Sequence, residues 1–339
     1  KALQDYRSRV DIVALNPHAD IVALTTDLVN IPSVSGDEAA LANAIFIELS
    51  KCDWLEVHRF KNSVVAKTNL GKASRVIVAG HIDTVPVADN EKAVFVASGQ
   101  GLPSDGTVVP EDVVFGLGSC DMLGGVAVAL RAAVSIENPQ FDVTYIFYEC
   151  EEVDSERNGL TLIAAEHPEW LAADIAVLLE PSNANIEAGC QGTLRASIST
   201  SGKRAHSARS WLGENAIHNL NAILETLNSY EPAKVLIDGL EYREGLNAVA
   251  ISGGVAGNII PDHALVDVNY RYAPNKSGAE AEQHIRDTFK GFSVTFTDNA
   301  PGAMPGLDRA ALADLVSRVD GQVAPKFGWT DVARFSAMG

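Results

Sequence analysis

Arg75-Val-Ile-Val-Ala-Gly-His-Ile-Asp-Thr-Val-Pro86 is the stretch from which the fold can be read. Arg75 to Ala79 is a short run rich in β-branched residues with no alternation, the pattern of a strand buried on both faces. It stops at Gly80, and His81 and Asp83 follow before Pro86. The same arrangement recurs twice. Val143-Thr-Tyr-Ile-Phe-Tyr148 leads to Glu151-Glu152, and Asp174-Ile-Ala-Val-Leu-Leu179 leads to Glu180-Pro181. Helical patterns lie around these runs. Ser35-Gly-Asp-Glu38 has the spacing of a capping box opening a helix to about Ser50, and a second helix is expected from Leu123 to about Ile136. Strands alternating with helices need crossover connections, so the sheet is expected to be mixed and largely parallel, in an α/β layer domain.

In open α/β sheets, sites form outside the carboxyl ends of the strands. His81, Asp83, Glu151, Glu152 and Glu180 are therefore expected on one rim. Asp121 joins them from the Gly-rich turn Gly116-Leu-Gly-Ser-Cys-Asp121, which opens the second helix. Imidazole and carboxylates converging on one rim form a donor set for zinc or a similar divalent ion. Asp83, two residues from His81 in an extended segment, points the same way and is expected to accept the ring's other N–H. Glu151 and Glu152 cannot both face one direction on a regular strand. A bend there would let one bind metal while the other handles protons.

Each piece has a plainer reading. A His-x-Asp is common in loops, and a Glu pair after a strand is usually a solvated turn. Gly116 and Gly118 suggest a dinucleotide loop, but Asp121 stands where its third glycine belongs and would repel a pyrophosphate. His18, His58, His167, His218 and His284 lack acidic company and read as surface or packing residues. The four cysteines are far apart, form no C-x-x-C pair, and read as buried small hydrophobes in a reducing compartment.

From Thr193 to about Thr297 the order changes to strand (193–200), helix (214–230), strand (247–255), strand (263–272), helix and strand (292–297). Val266, Val268, Tyr270 and Tyr272 alternate with polar residues, as in a sheet with one buried face. Ile217, Leu220, Ile223, Leu224 and Leu227 recur at helical spacing and are expected to cover it. This βαββαβ order implies a ferredoxin-like domain inserted in the first. The expected boundaries are 1–191 with 302–339 for the metal-binding domain, and 192–301 for the insertion.

A chain of 339 residues suits two domains. Its net charge of −18 argues against nucleic acid, and no apolar run is long enough to span a membrane. A cytoplasmic location is expected.

Taken together, Gly80-His-Ile-Asp-Thr-Val-Pro86, Gly116-x-Gly-x-x-Asp121-Met122, Glu151-Glu152 and Glu180-Pro181, in this order, resemble the M20 family of co-catalytic zinc aminoacylases and carboxypeptidases. Ile186-Glu-Ala-Gly-Cys-Gln-Gly-Thr-Leu-Arg195, Ala205-His-Ser-Ala-Arg209 and Gly328-Trp-Thr-Asp-Val-Ala-Arg-Phe335 look like its actinobacterial succinyl-diaminopimelate desuccinylase branch. The resemblance implies a zinc-aminopeptidase-like catalytic domain with a lid that also dimerises. It implies two divalent ions, zinc or else cobalt. Asp121 would bridge them, His81 and Glu180 would complete one site, Glu152 would serve the other, and Glu151 would be the general base. It further implies a homodimer whose partner subunit supplies His206, and a small anionic N-acyl amino acid as substrate, reached by Asn258 and Arg271.

Lys203, Arg204 and Arg209 around His206 form a basic cluster suited to such a substrate. Two departures stand out. The family's usual Asp-Met-Lys-Gly is Asp121-Met-Leu-Gly124 here, and its last His ligand, from a segment after the Trp-Thr-Asp motif, is not found up to Gly339. The catalytic domain is thus expected to be C-terminally incomplete. The alternatives are an acetylornithine deacetylase, carboxypeptidase or aminoacylase of the same family, or a protein that binds metal or a small molecule without catalysis.

Overall fold

The computed structural model describes residues 14–318 and 322–338. The chain divides into two compact units, Lys1–Ala184 and Asn185–Gly339.

The first unit is built on a five-stranded sheet. Its strands are β1 (Glu56–Phe60), β2 (Ser63–Lys67), β3 (Arg75–His81), β6 (Asp142–Tyr148) and β7 (Ile175–Leu178), in the order β1-β2-β6-β3-β7. A small hairpin of β4 (Val94–Val96) and β5 (Val113–Phe115) stands apart from it. β3 runs parallel to both β6 and β7, while β1 and β2 extend the edge antiparallel. The three expected strands are thus the parallel part of a mixed sheet, with β7 at its edge, and their carboxyl ends share one rim. β6 lies in the middle of the sheet, and all seven of its residues are buried, as a strand covered on both faces requires.

Helices α1 (Ile21–Val29), α2 (Ala39–Leu49) and α3 (Gly124–Ser135) supply the main core. Leu24, Leu28, Leu41, Ile45, Leu49, Val126 and Leu130 pack there with Val64, Ala66 and Phe147 of the sheet. Each such fully buried aliphatic side chain contributes roughly 1.5–3 kcal/mol. Leu123, where the family has lysine, is 1% exposed in this core and so takes the apolar residue without penalty. Gly125 has a specific task. A Cβ there would stand 2.5 Å from the Leu179 carbonyl oxygen, so glycine lets the first turn of α3 lie against the chain that carries Glu180.

The capping box expected at Ser35 does not form. Glu38 is itself the N-cap of α2, with no side-chain cap bond, and its carboxylate turns inward, fully buried.

The second unit holds a four-stranded antiparallel sheet of β8 (Gly192–Ser201), β9 (Gly245–Gly253), β10 (His263–Tyr272) and β11 (Ser293–Ala300), in the order β9-β10-β8-β11. Alternation along β10 is as expected, with Val266, Val268, Tyr270 and Tyr272 fully buried. Against them pack Leu220 and Ile223, and Ala281, Ile285 and Phe289 from around the helix Gly278–Thr288. That helix opens with a capping box between Ser277 and Glu280.

The single helix expected over 214–230 is two pieces, Ala216–Asn219 and Asn221–Asn228. Thr200 Oγ1 donates to the Ala216 carbonyl at 2.8 Å, occupying the acceptor that an α-helical Leu220 N–H would use. Leu220 N–H bonds to the Ile217 carbonyl instead, tightening the turn, and Ile217 is left 41% exposed rather than on the covering face.

Segments flanking the sheet lie side by side. Ile186–Ala188 pairs in parallel with Val323–Pro325, and Cys190 and Ala303 exchange both backbone hydrogen bonds at 3.0 Å. Among the described residues no helix is long and apolar enough to cross a membrane.

Candidate metal centre

His81 is the last residue of β3 and is buried. Its Nδ1 bonds to the backbone carbonyl of Asp83 at 3.0 Å, and its Nε2 stands 3.0 Å from Asp121 Oδ1. A carbonyl oxygen only accepts, so Nδ1 carries a proton, and Nε2 is the nitrogen that faces the pocket. The imidazole is therefore held by an Asp83 oxygen, but by the carbonyl and not by the carboxylate as the sequence suggested; the carboxylate oxygen is 3.6 Å from Nδ1.

The Asp83 carboxylate is engaged elsewhere. Oδ1 accepts the N–H of Glu151 at 2.9 Å, while Oδ2 accepts the N–H of Glu152 at 3.1 Å and the Ser35 hydroxyl at 2.7 Å. The bend expected at the Glu pair is present, and the chain turns one residue before it as well, at Cys150, whose φ is +58°. A non-glycine residue there costs of order 1–3 kcal/mol and has to be held. Glu38 holds it: Oε1 accepts the Cys150 N–H at 3.2 Å, the Cys150 thiol at 3.3 Å and the Gly36 N–H at 2.7 Å. Three successive amides, of Cys150, Glu151 and Glu152, thus end on two buried carboxylates.

The remaining donors come from β7 and the turn before α3. Gly118, with φ +76°, brings the chain round to Asp121, whose side chain is 54% exposed and reaches toward His81. One ligand atom each from His81, Asp121 and Glu180 lies within 4.8 Å of the others, and the same holds for His81, Glu151 and Glu152. Two overlapping donor groups fit a pair of divalent ions, with the single lone pair of His81 serving one of them and carboxylates the other. Asp121 and Glu152 also line a cavity of about 400 Å³ with Thr84, Gly118, Ser119 and Cys120.

Electrostatics test the fit. Burial works against a charged imidazole, yet Asp121, Asp83, Glu151 and Glu180 together outweigh it and hold the His81 pKa up to about 9. Burial, then Asp121, pushes the Glu152 carboxyl up. The His81 shift expresses a surplus of negative charge, to which Asp121 adds at the buried Glu152, and a cation relieves it. Nitrogen and carboxylate donors at these separations fit zinc or a similar ion.

Glu38 is the residue that sequence reasoning missed; its spacing from Ser35 disguised it as a helix cap. It also brings a third donor group together, with Glu149 and Cys150, wholly buried beside the first two. Cys120 departs from the expected pattern as well: it is exposed, whereas the other three cysteines are buried. The tight turn into Asp121 leaves its side chain outside the core.

His206, Asn258 and Arg271 belong to the second unit. His206 is exposed at the end of the short strand Ala205–His206, which pairs with Ile259–Ile260, and the Asn258 carbonyl accepts the Ser207 N–H at 2.9 Å. The ring Nδ1 of His206 accepts the Ala208 N–H at 3.1 Å, so the neutral ring carries its proton on Nε2. Of the basic cluster, Arg204 is paired with Asp262 at 2.8 Å. Arg271 is half-buried on β10, its Nε donating to Asn269 Oδ1 at 3.1 Å.

Known proteins resemble this chain over most of its length. The DapE protein of Mycobacterium tuberculosis is 49% identical over 328 residues, covering 96% of this chain and 89% of that one. The succinyl-diaminopimelate desuccinylase of Corynebacterium glutamicum is 47% identical over 331 residues, covering 94% and 86%. Among solved structures, a tripeptidase of Staphylococcus aureus superposes with a TM-score of 0.72 at 20% identity, over 96% of this chain and 88% of that one. Its fold is therefore the same. The model of peptidase family M20/M25/M40 matches residues 77–339, which include His81, Asp121, Glu151, Glu152 and Glu180, and the chain belongs to that family of metal-dependent hydrolases.

Proposed function

We propose that this protein hydrolyses the succinyl amide of N-succinyl-LL-2,6-diaminopimelate to succinate and LL-diaminopimelate, a reaction of diaminopimelate and lysine biosynthesis. The observation that carries the chemistry is the convergence of His81, Asp121, Glu180, Glu151 and Glu152 in two overlapping donor groups. The substrate follows from the desuccinylase of Corynebacterium glutamicum, similar over most of both chains.

His81 and Glu180 would hold one ion and Glu152 the other, with Asp121 contributing to both; zinc is the ion these donors would favour. When bound, the ions supply Lewis acidity, polarising the amide carbonyl and making water a better acid. Glu151 takes the proton of the attacking water and returns it to the leaving amine. Asp83 keeps Glu151 and Glu152 in place through their amides. His206 of a second copy donates its Nε2–H to the oxyanion developing on the substrate carbonyl, in the tautomer its Nδ1 bond sets. Asn258 and Arg271 bind the substrate.

Residues 1–191 and 302–339 then act as the catalytic domain, and 192–301 as a ferredoxin-like lid that dimerises. The strand order β9-β10-β8-β11 and the pairing of Cys190 with Ala303 support an insertion whose two ends meet. β9 is an edge strand with Val249 63% and Ile251 55% exposed, a surface suited to a second copy. Four free thiols suit the cytoplasm.

Succinate release from N-succinyl-LL-diaminopimelate by zinc-loaded protein, set against N-acetylornithine and dipeptides, tests the reading. The succinyl substrate is expected to be preferred. Glu151→Gln is expected to keep its zinc and lose at least roughly 100-fold in kcat, and full activity in that variant would sink the assignment.

A further inference from the structure

The face of the second unit's sheet opposite its core carries two arginines whose charges are unanswered. Arg271 on β10 pairs in register with Thr193 on β8, and Arg195, two residues further along β8, pairs with Asn269. Residues two apart on a strand share a face, as do cross-strand partners. Arg195 and Arg271 are therefore diagonal neighbours on one face, at positions roughly 7–8 Å apart in an antiparallel pair. Leu194, Ala196, Val268, Tyr270 and Tyr272 point the other way, into the core.

Asn269 sets the aim of Arg271. Its Oδ1 accepts from Nε of Arg271 at 3.1 Å, and its Nδ2 donates to Thr193 Oγ1 at 3.2 Å, so the amide is anchored at both ends. That leaves the two terminal nitrogens of the Arg271 fork for another acceptor. Arg195 is exposed, and among the described residues its guanidinium makes no ion pair or hydrogen bond. The nearest acid in register is Asp298 of β11, opposite Arg195, and it forms no ion pair with either arginine. Burial and then the charge of Arg195 hold the Arg271 pKa below its ordinary value, with Asp298 only partly offsetting them.

Like charges side by side on a sheet destabilise it. In a chain with 44 acidic and 26 basic residues, an arginine pair left without its own carboxylate is unexpected unless an anion from outside completes it.

We propose that Arg195 and Arg271 form a two-guanidinium clamp for a substrate carboxylate, with Arg195 as a specificity-determining residue. The proposal rests on the reading that Arg271 faces the substrate, and it extends that contact to a residue on the neighbouring strand. Two planar forks on one carboxylate, one held by Asn269 and one free to swing, select a carboxylate over an uncharged acyl or side chain.

Succinate and LL-diaminopimelate carry the substrate's carboxylates between them. Calorimetric titration of the zinc-loaded dimer or monomer with each, for wild type, Arg195→Met and Arg195→Lys, therefore reads the clamp without turnover. Arg195→Met is expected to weaken one of the two products roughly 10- to 100-fold, with Arg195→Lys between it and wild type. The same factor is expected in kcat/KM for N-succinyl-LL-diaminopimelate, carried by KM with kcat little changed.

An Arg195→Met protein with wild-type thermal stability that binds both products and turns over substrate within about twofold of wild type overturns the proposal. So does a wild type that binds neither product. A wild type that binds a product in an Arg195-dependent way yet releases no succinate upholds the clamp and overturns the proposed reaction.

Discussion

Glu38 and Cys150 are joined twice, because one carboxylate oxygen of Glu38 accepts both the backbone N–H and the thiol of Cys150. The contact spans 112 residues of sequence and connects the start of α2 to the end of β6. Cys150 is where the chain leaves the strand with positive φ, so this contact decides where the next two glutamates emerge.

Glu38→Leu removes the acceptor for four donors at once, the Cys150 N–H and thiol, the Gly36 N–H and the Asn62 amide, and is expected to destabilise the protein by about 3 kcal/mol or more, at roughly 1 kcal/mol or above for each buried donor left unpaired. Glu38→Gln keeps one acceptor oxygen and should cost less. If Glu38 positions the catalytic loop, kcat falls in the order wild type, Gln, Leu, while zinc content measured by atomic emission stays constant at a temperature where all three are folded. A Glu38→Leu protein with wild-type kcat would show that the loop holds itself.

Asp83 separates two ideas of what a buried aspartate beside a candidate metal ligand such as His81 does. Were its carboxylate the partner of His81, Asp83→Asn would weaken zinc binding by about 10- to 100-fold. In the structure the ring rests on the Asp83 carbonyl, which the substitution keeps, and the carboxylate serves the amides of Glu151 and Glu152. An Asn side chain would set an NH2 against one of those N–H groups. Asp83→Asn is thus expected to lower kcat by tenfold or more, for roughly 1.5–3 kcal/mol of lost charge-assisted bonding, with zinc affinity within about threefold of wild type. Competition with a chromogenic chelator measures the affinity, and a large loss there with kcat preserved would return the carboxylate to the imidazole.

These two residues also mark where the sequence could be read and where it could not. The parallel part of the sheet was legible because β6 is buried throughout and β3 over most of its second half, and burial on both faces leaves a compositional trace, while β7, half-buried at the sheet's edge, still carries an apolar run. The rim followed, since His81, Asp121, Glu151, Glu152 and Glu180 stand at strand ends and turns and are of ligand type. Alternation along β10 gave the second unit's buried face in the same way. Long-range polar contacts leave no such trace. Glu38 bonds across 112 residues to Cys150, and its local context satisfied a capping rule that the fold then overrode. The break at Leu220 comes from Thr200, a strand residue that periodicity within the helix cannot see. The choice between the two oxygens of Asp83 depends on a bend at Cys150, one residue before the bend that spacing foretold.

The metal-free pocket gives a pH dependence with a definite sign. His81 has its pKa raised from 6.5 to about 9, because the stabilisation by Asp121 and the surrounding carboxylates exceeds the cost of burying its charge. A group whose folded pKa lies above its unfolded value contributes stability that is complete below the unfolded pKa and is lost as pH rises through the folded one. Protein stripped with a chelator is therefore expected to lose thermal stability between about pH 6.5 and pH 9, the interval set by His81. Other groups titrate in that interval, so the comparison is with His81→Gln, in which this part of the slope should vanish. Zinc replaces the proton on the ring, so zinc affinity should climb with pH by up to about tenfold per unit until the proton is gone near pH 9. Scanning calorimetry of both proteins, with and without chelator, measures the whole pattern. A metal-free wild type whose midpoint changes with pH as the His81→Gln protein does would mean that the carboxylates do not hold a proton on His81.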